Sequence, residues 1–103
     1  MLDDELLRAV ATQMMNGAEV RVGDRPLPVR RTSRQRLKTV TFAMNGRQYA
    51  AIEQNPEKPS RWGQLARAGH QVVQFKEVAS NRFVAVAVDG EITEYGGRGG
   101  RRE

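Results

Sequence analysis

A run of basic side chains in the middle of the chain is the clearest candidate for chemistry. Residues 25–52 contain seven lysines and arginines and no acidic residue, and five of the seven lie between positions 30 and 38. Guanidinium and ammonium groups at this density attract polyanions, because each can neutralise a phosphate. We therefore predict that nucleic acid is bound by Arg30, Arg31, Arg34, Arg36 and Lys38. The alternative is a solvated surface whose charge only keeps the chain in solution.

The C-terminal residues 96–103, Gly-Gly-Arg-Gly-Gly-Arg-Arg-Glu, form a second basic segment. This segment resembles a single arginine–glycine box of the kind found in RNA-binding proteins, where such boxes usually repeat. The resemblance implies that Arg98, Arg101 and Arg102 contact phosphates or stack on bases with little sequence preference. Because the composition cannot form an apolar core, we expect the segment to be disordered. A tail that only improves solubility is the alternative.

A third candidate is the proline-containing segment 55–62, in which Lys58, Arg61 and Trp62 stand close together. Rigid polar loops that carry an aromatic anchor are typical of binding sites. We therefore predict an interaction loop at these three residues. The alternative is that Trp62 packs inward as the main core residue of a short helix.

The residues that enzymes use for catalysis are scarce in this chain. The absence of cysteine excludes disulfides, thiolate zinc sites and cysteine nucleophiles. Phosphate-binding, dinucleotide-binding, serine-hydrolase and calcium-loop motifs are also missing. The one histidine, His70, could act as a general base but is more often a loop residue. We predict no catalytic residue, metal or cofactor, and an enzyme remains only a third hypothesis that depends on His70.

The N-terminal segment predicts an amphipathic helix. Its apolar residues recur at spacings of three and four, and they are Leu6, Leu7, Val10, Ala11, Met14 and Met15. Asp3 or Asp4 can cap its start, and Asn16-Gly17 can end it. Such a helix packs on a sheet or on a second copy of itself.

Apolar patterning predicts strands at 19–22, 27–30, 37–44, 47–54, 71–76 and 91–95, and a nearly all-apolar run predicts a central strand buried on both faces at 82–88. Asn45-Gly46 and Asp89-Gly90 are typical of two-residue hairpin turns, and residues 31–36 are expected to form a loop. Ser60 predicts the start of a short helix that ends at Ala68. Within this helix, Gly63 indicates close approach of another backbone. All three phenylalanines fall in runs typical of core, so no exposed aromatic is expected on the strands: Phe42, Phe75 and Phe83.

These elements predict an α+β fold with a largely antiparallel sheet, an N-terminal amphipathic helix and one short internal helix. A small twisted barrel is the alternative. The chain has 103 residues and a net charge of +5, and we expect a single domain over residues 1–95. No apolar run approaches the ~20 residues of a membrane span, and the acidic start is unlike a secretory signal. We therefore expect a cytoplasmic protein without a membrane partner.

Two functional hypotheses of equal weight follow. One is a small non-enzymatic module that binds DNA or RNA through the basic residues and the tail. The other is a protein–protein interaction or self-assembly module whose partner is acidic or is an identical chain.

Overall fold

The computed structural model describes residues 2–17 and 19–95, and it has the predicted α+β class. Its elements in chain order are α1 (Asp4–Met15), β1 (Val20–Val22), β2 (Arg25–Leu27), β3 (Arg30–Arg31), β4 (Lys38–Met44), β5 (Arg47–Glu53), α2 (Arg61–Arg67), β6 (Val72–Glu77), β7 (Arg82–Val88) and β8 (Glu91–Glu94). The segment 96–103, for which we predict disorder, lies outside the described residues. Neither helix in the described part of the chain has the length and apolar character that a membrane span requires.

Six strands form one antiparallel sheet in the order β3-β4-β5-β6-β7-β8, so each strand pairs with its neighbours in sequence. β1 and β2 form a separate two-stranded hairpin. Within the described residues, β3 and β8 are the two edges of the larger sheet and do not pair with each other. The sheet is therefore open, and the barrel alternative is wrong.

The strand predicted at 27–30 is replaced by two short strands. β2 ends at Leu27, because Pro28 has no N–H to continue the ladder of hydrogen bonds. The chain then pairs again as β3, where Arg30 lies opposite Thr39 and Arg31 opposite Lys38. The predicted loop therefore begins at residue 32 rather than 31. Both residues of β3 are exposed, so no apolar alternation marks it in the sequence.

Helix α1 covers one face of the sheet, which we call the covered face. The Asp3 carboxylate caps the helix by accepting the Leu6 N–H at 3.2 Å, as predicted. Four apolar residues of the helix, Leu7, Val10, Ala11 and Met14, are fully buried with Val40, Phe42, Met44, Tyr49, Ala51, Val73, Phe75, Ala85 and Ala87 of the sheet. The rings of Phe42 and Phe75 meet edge to face with their centroids 6.2 Å apart.

The opposite face of the sheet is called the open face. Its residues on β3 to β7, identified by strand register, are Arg30, Thr39, Thr41, Ala43, Gln48, Ala50, Ile52, Val72, Gln74, Lys76, Phe83, Val86 and Val88. Helix α2 packs against β6, and its apolar side chains do not belong to the core under α1. Val72 and Val86 on the open face are nevertheless fully buried. We infer that α2 covers this end of the open face and leaves the other end accessible.

A β-bulge changes which side chains reach the open face. Phe75 lies opposite Ala85, but the next residue, Lys76, lies opposite Phe83, so Val84 is an extra residue. Val84 packs against the core of the covered face, and Phe83 turns outward with 46% of its surface exposed. The prediction that Phe83 is a core residue is therefore wrong. Strict alternation would place it on the covered face with Ala85, and the bulge reverses that assignment.

Candidate nucleic-acid interface

The predicted basic residues of β3 and the following loop form an exposed group. Arg30, Arg31, Arg34 and Arg36 are all exposed to solvent. In the described residues, the side chains of Arg30, Arg34 and Arg36 form no ion pair with a carboxylate. These three guanidinium groups are therefore available to an external anion.

The loop that carries these arginines has a defined conformation. Its ends are joined by the Thr32 N–H, which donates to the Leu37 carbonyl at 2.9 Å, and by the Leu37 N–H, which donates to Thr32 Oγ1 at 3.0 Å. Arg36 has a φ of 58°, in the left-handed region, which costs free energy for a residue with a side chain. Arg31 Nη1 donates to the Arg36 carbonyl at 2.8 Å and supports this conformation. The Arg31 side chain therefore stabilises the conformation of the loop.

Lys38 does not join the four arginines. Its side chain lies on the covered face, half-buried, and its ammonium donates to the Met14 carbonyl at 3.1 Å. That carbonyl is at the C-terminal end of α1, where positive charge is stabilising, and the last turn of α1 contains no basic residue of its own. Lys38 thus supplies the missing charge from a neighbouring strand. The sequence contained a signal for this placement, because Lys38 is in phase with the buried residues Val40 and Phe42.

The predicted contacts of the tail, Arg98, Arg101 and Arg102, lie outside the described residues. The last described residue is Tyr95, which directly follows the edge strand β8.

The segment before α2 is held in place by side chains of the helix. Arg67 Nη1 donates to the carbonyls of Pro56 and Lys58. The Ser60 hydroxyl caps the helix by accepting the Gly63 N–H at 3.2 Å. Gly63 is buried, and a Cβ added there would overlap the Lys58 carbonyl oxygen. The predicted close approach of another backbone at Gly63 is therefore confirmed.

The two interpretations of Trp62 each describe part of its surroundings. The side chain is half-buried, and the Arg61 guanidinium lies 4.9 Å from the centroid of its ring. This distance is within the range of a cation–π contact. Lys58 and Arg61 are exposed. The interaction loop thus presents two cations, with an indole that one of them already covers.

His70 is paired with a carboxylate. Its Nδ1 lies 2.7 Å from Asp89 Oδ2, and the other oxygen of Asp89 accepts the Gln71 N–H at 2.9 Å. The Asp89 N–H donates back to the Gln71 carbonyl at 2.8 Å. This cluster joins the segment after α2 to the β7–β8 hairpin. The hydrogen bond from the Gln71 N–H and that from His70 lower the pKa of the Asp89 carboxyl.

Asp89 should therefore stabilise the fold in a pH-dependent manner. A carboxyl whose pKa is lower in the folded chain adds stability above its unfolded pKa of about 3.9, and loses it as the pH falls through the folded value. We expect Asp89→Asn to lower the free energy of unfolding at neutral pH, with the difference from the native chain shrinking below about pH 4. Asparagine tolerates the left-handed conformation of residue 89 as aspartate does, so the substitution mainly removes the negative charge. Urea unfolding of both chains from roughly pH 7 to pH 2 tests this, and a difference that does not vary with pH would contradict it.

Acidic and basic groups are unevenly distributed over the sheet, and Glu91 of β8, opposite Val88, also lies on the open face. In the described strands β3 to β7, the open face contains Arg30 and Lys76 and no acidic residue. Carboxylates gather instead around the start of α1, where a shallow depression is lined by Leu2, Asp3, Asp4, Glu5, Asn45 and Glu94. The Asp4 carboxyl forms a hydrogen bond with Glu94 and repels its charge, which raises the pKa of Glu94. The carboxyls of Asp4 and Glu94 therefore lie close together near the start of α1.

The accessible part of the open face combines small, aromatic and cationic side chains. A row crosses four neighbouring strands in the order Thr41, Ala50, Lys76 and Phe83. The Lys76 ammonium lies 5.8 Å from the centroid of the Phe83 ring. Sequence reasoning missed both residues, because no local pattern marks the bulge that turns Phe83 outward.

The exposed arginines of β3 and its loop carry the charge that attracts a polyanion, and Phe83 adds an exposed aromatic ring. Similarity to other proteins adds no functional assignment. Comparison with protein-family models, with curated proteins and with solved structures finds no match to this chain.

Proposed function

We propose that this chain is a small nucleic-acid-binding module in which the arginines of β3 and its loop contact phosphates. The observation that carries the proposal is the exposed group Arg30, Arg34 and Arg36, which has no carboxylate partner among the described residues. A guanidinium that is already paired must give up that pair to bind a phosphate. An unpaired one binds without this cost.

The hydrogen bonds of the loop support the proposal, because they order its backbone before a ligand arrives. Arg31 binds the Arg36 carbonyl, and Thr32 and Leu37 are hydrogen-bonded to each other. A preorganised loop loses less conformational entropy on binding than a loop that must be ordered by its ligand. In this proposal Arg98, Arg101 and Arg102 add further phosphate contacts, and Lys38 is left out because its ammonium stabilises α1.

A fluorescence-anisotropy titration at several salt concentrations tests this function. If about five phosphates are neutralised, log K should fall with log salt with a slope of roughly −4.5 for duplex and −3.5 for a single strand. Labelled oligonucleotides and roughly 50 to 300 mM salt cover the useful range. The control is Arg21→Gln, which removes the same charge from a residue already paired with Glu19 and should bind nearly as well as the native chain. Absence of binding at the lowest salt concentration would overturn the proposal.

A second candidate function is protein–protein interaction, and one surface favours it. Val29 is 40% exposed and lies in a shallow groove with Pro26, Leu27, Pro28 and Glu19. Exposed apolar side chains at the edge of a sheet are typical of contacts with another chain. Light scattering over a range of concentrations detects an identical partner, and a constant monomer mass would exclude it.

A further inference from the structure

We propose that the accessible part of the open face binds single-stranded nucleic acid, with a base stacked on Phe83 and neighbouring phosphates held by Lys76 and Arg30. The inference rests on the proposed function and deepens it, because it names the form of nucleic acid and the surface that selects it.

Phe83 is the first observation. The bulge leaves 46% of this phenylalanine in solvent, on a strand whose other apolar side chains are at least half-buried. A base has an aromatic face whatever its identity, so an exposed phenyl ring is a platform on which any base can stack. The Lys76 ammonium lies over this ring, 5.8 Å from its centroid, so a base that stacks there takes the place of the ammonium, which can then pair with the phosphate of the same nucleotide.

The charge and shape of the neighbouring surface are the second observation. Between Arg30 on β3 and Phe83 on β7, the accessible open face includes the small side chains of Thr39, Thr41 and Ala50. Four strand spacings separate the two ends, a distance of about 19 Å, which spans a few nucleotides. No acidic side chain of β3 to β7 lies on this face to repel the phosphates.

The exposed ring of Phe83 favours a single strand over a duplex. The bases of a duplex are stacked on one another inside the helix and cannot reach a phenyl ring on a sheet. Reading a duplex instead requires a helix, ribbon or loop that enters a groove. The accessible part of the open face consists of strand residues, and the unstacked bases of a single strand can lie directly on it.

A second copy of the chain is a less suitable occupant of this face. Across a two-fold axis the same positive surface would meet itself, which brings like charges together. Among the described residues, the strongly exposed large apolar side chains at this end of the face are Phe83 and Val78, which directly follows β6 and lies opposite Gln48. A nucleic acid supplies the opposite charge and an aromatic partner at once.

The test compares a labelled single strand of about 12 nucleotides with a duplex of the same length, by anisotropy at low salt. We expect Phe83→Leu to weaken single-strand binding roughly tenfold while duplex binding stays within about twofold, since leucine keeps apolar bulk but has no aromatic face. Phe83→Tyr, which keeps the ring, should bind like the native chain. Lys76→Gln should lower the single-strand salt slope by about 0.7, and Arg21→Gln, with the same change in charge, should not.

The outcomes separate this inference from the proposed function. If Phe83→Leu binds the single strand like the native chain while Arg34→Gln binds it more weakly, the open face is not the site and the proposed function stands. If the native chain binds neither oligonucleotide, both fail. Photo-crosslinking of an iodouracil-containing strand to the native chain needs no variant to fold. An adduct on the peptide containing Phe83 supports the inference, and adducts confined to other segments overturn it.

Discussion

Replacing Gly63 by alanine should lower the free energy of unfolding by about 2 kcal/mol. The added Cβ would overlap the Lys58 carbonyl oxygen, so α2 and the preceding segment must separate. Overpacking of this kind costs about 3 kcal/mol, and the better helix propensity of alanine returns about 1 kcal/mol. The separation also strains the bonds from Arg67 to the carbonyls of Pro56 and Lys58. Urea unfolding followed by the fluorescence of Trp62 measures the change.

Helix propensity and steric overlap at Gly63 change the free energy of unfolding in opposite directions, so the sign of the measured change distinguishes them. Helix propensity alone predicts that the alanine variant is more stable than the native chain, and the backbone contact predicts that it is less stable. Gly17→Ala is a contrasting variant, because Gly17 has a φ of 76° and open space around an added Cβ, whereas Gly63 has no positive φ. This variant reports the cost of backbone strain without a steric contact and should be the milder change. A Gly63→Ala chain as stable as the native one would contradict the close approach described here.

Converting Arg30, Arg34 and Arg36 together to glutamine should weaken nucleic-acid binding about 100-fold at low salt. Glutamine keeps a polar side chain of similar reach but cannot neutralise a phosphate. The loss of three contacts should also lower the slope of log K against log salt by about 2 for a single strand. Because all three side chains are exposed and unpaired among the described residues, the free energy of unfolding should change by less than about 0.5 kcal/mol.

Lys38→Gln is the matched control for this triple variant. It removes a basic residue from the same run of sequence, but one whose ammonium binds the Met14 carbonyl. We expect it to destabilise the fold while leaving the salt slope nearly unchanged. If instead the triple variant binds as tightly as the native chain, phosphate recognition by this loop is refuted. The comparison thus separates charge that faces a ligand from charge that supports the fold.

Local signals explain why much of this fold was predictable. Asp3 and Ser60 cap the two helices as their residue types predict, because each supplies an oxygen to a free backbone N–H. The hairpin turn at Asn45-Gly46 has positive φ at both residues, which asparagine and glycine tolerate best. Such features depend on three or four consecutive residues and can be recognised without knowledge of the rest of the chain.

Non-local pairing explains what was missed. β3 exists because Arg30 and Arg31 pair with residues several positions later, and nothing in their own side chains indicates a strand. Phe83 was assigned to the core because it belongs to a nearly all-apolar run, and the bulge that turns it outward depends on how β6 and β7 align. For the candidate site, the exposed arginines were predictable from charge alone. The open face was not, because it is assembled from strands that are distant in sequence.

The separation of charge across the sheet has a consequence for how the molecule approaches a ligand. The carboxylates near Asp4 and Glu94 and the cations Arg30 and Lys76 on the open face form a local dipole. In the field of a polyanion such a dipole experiences a torque that turns the cationic side forward before any contact forms. Encounters would then begin in a productive orientation, and rising ionic strength would slow capture as well as weaken the final complex.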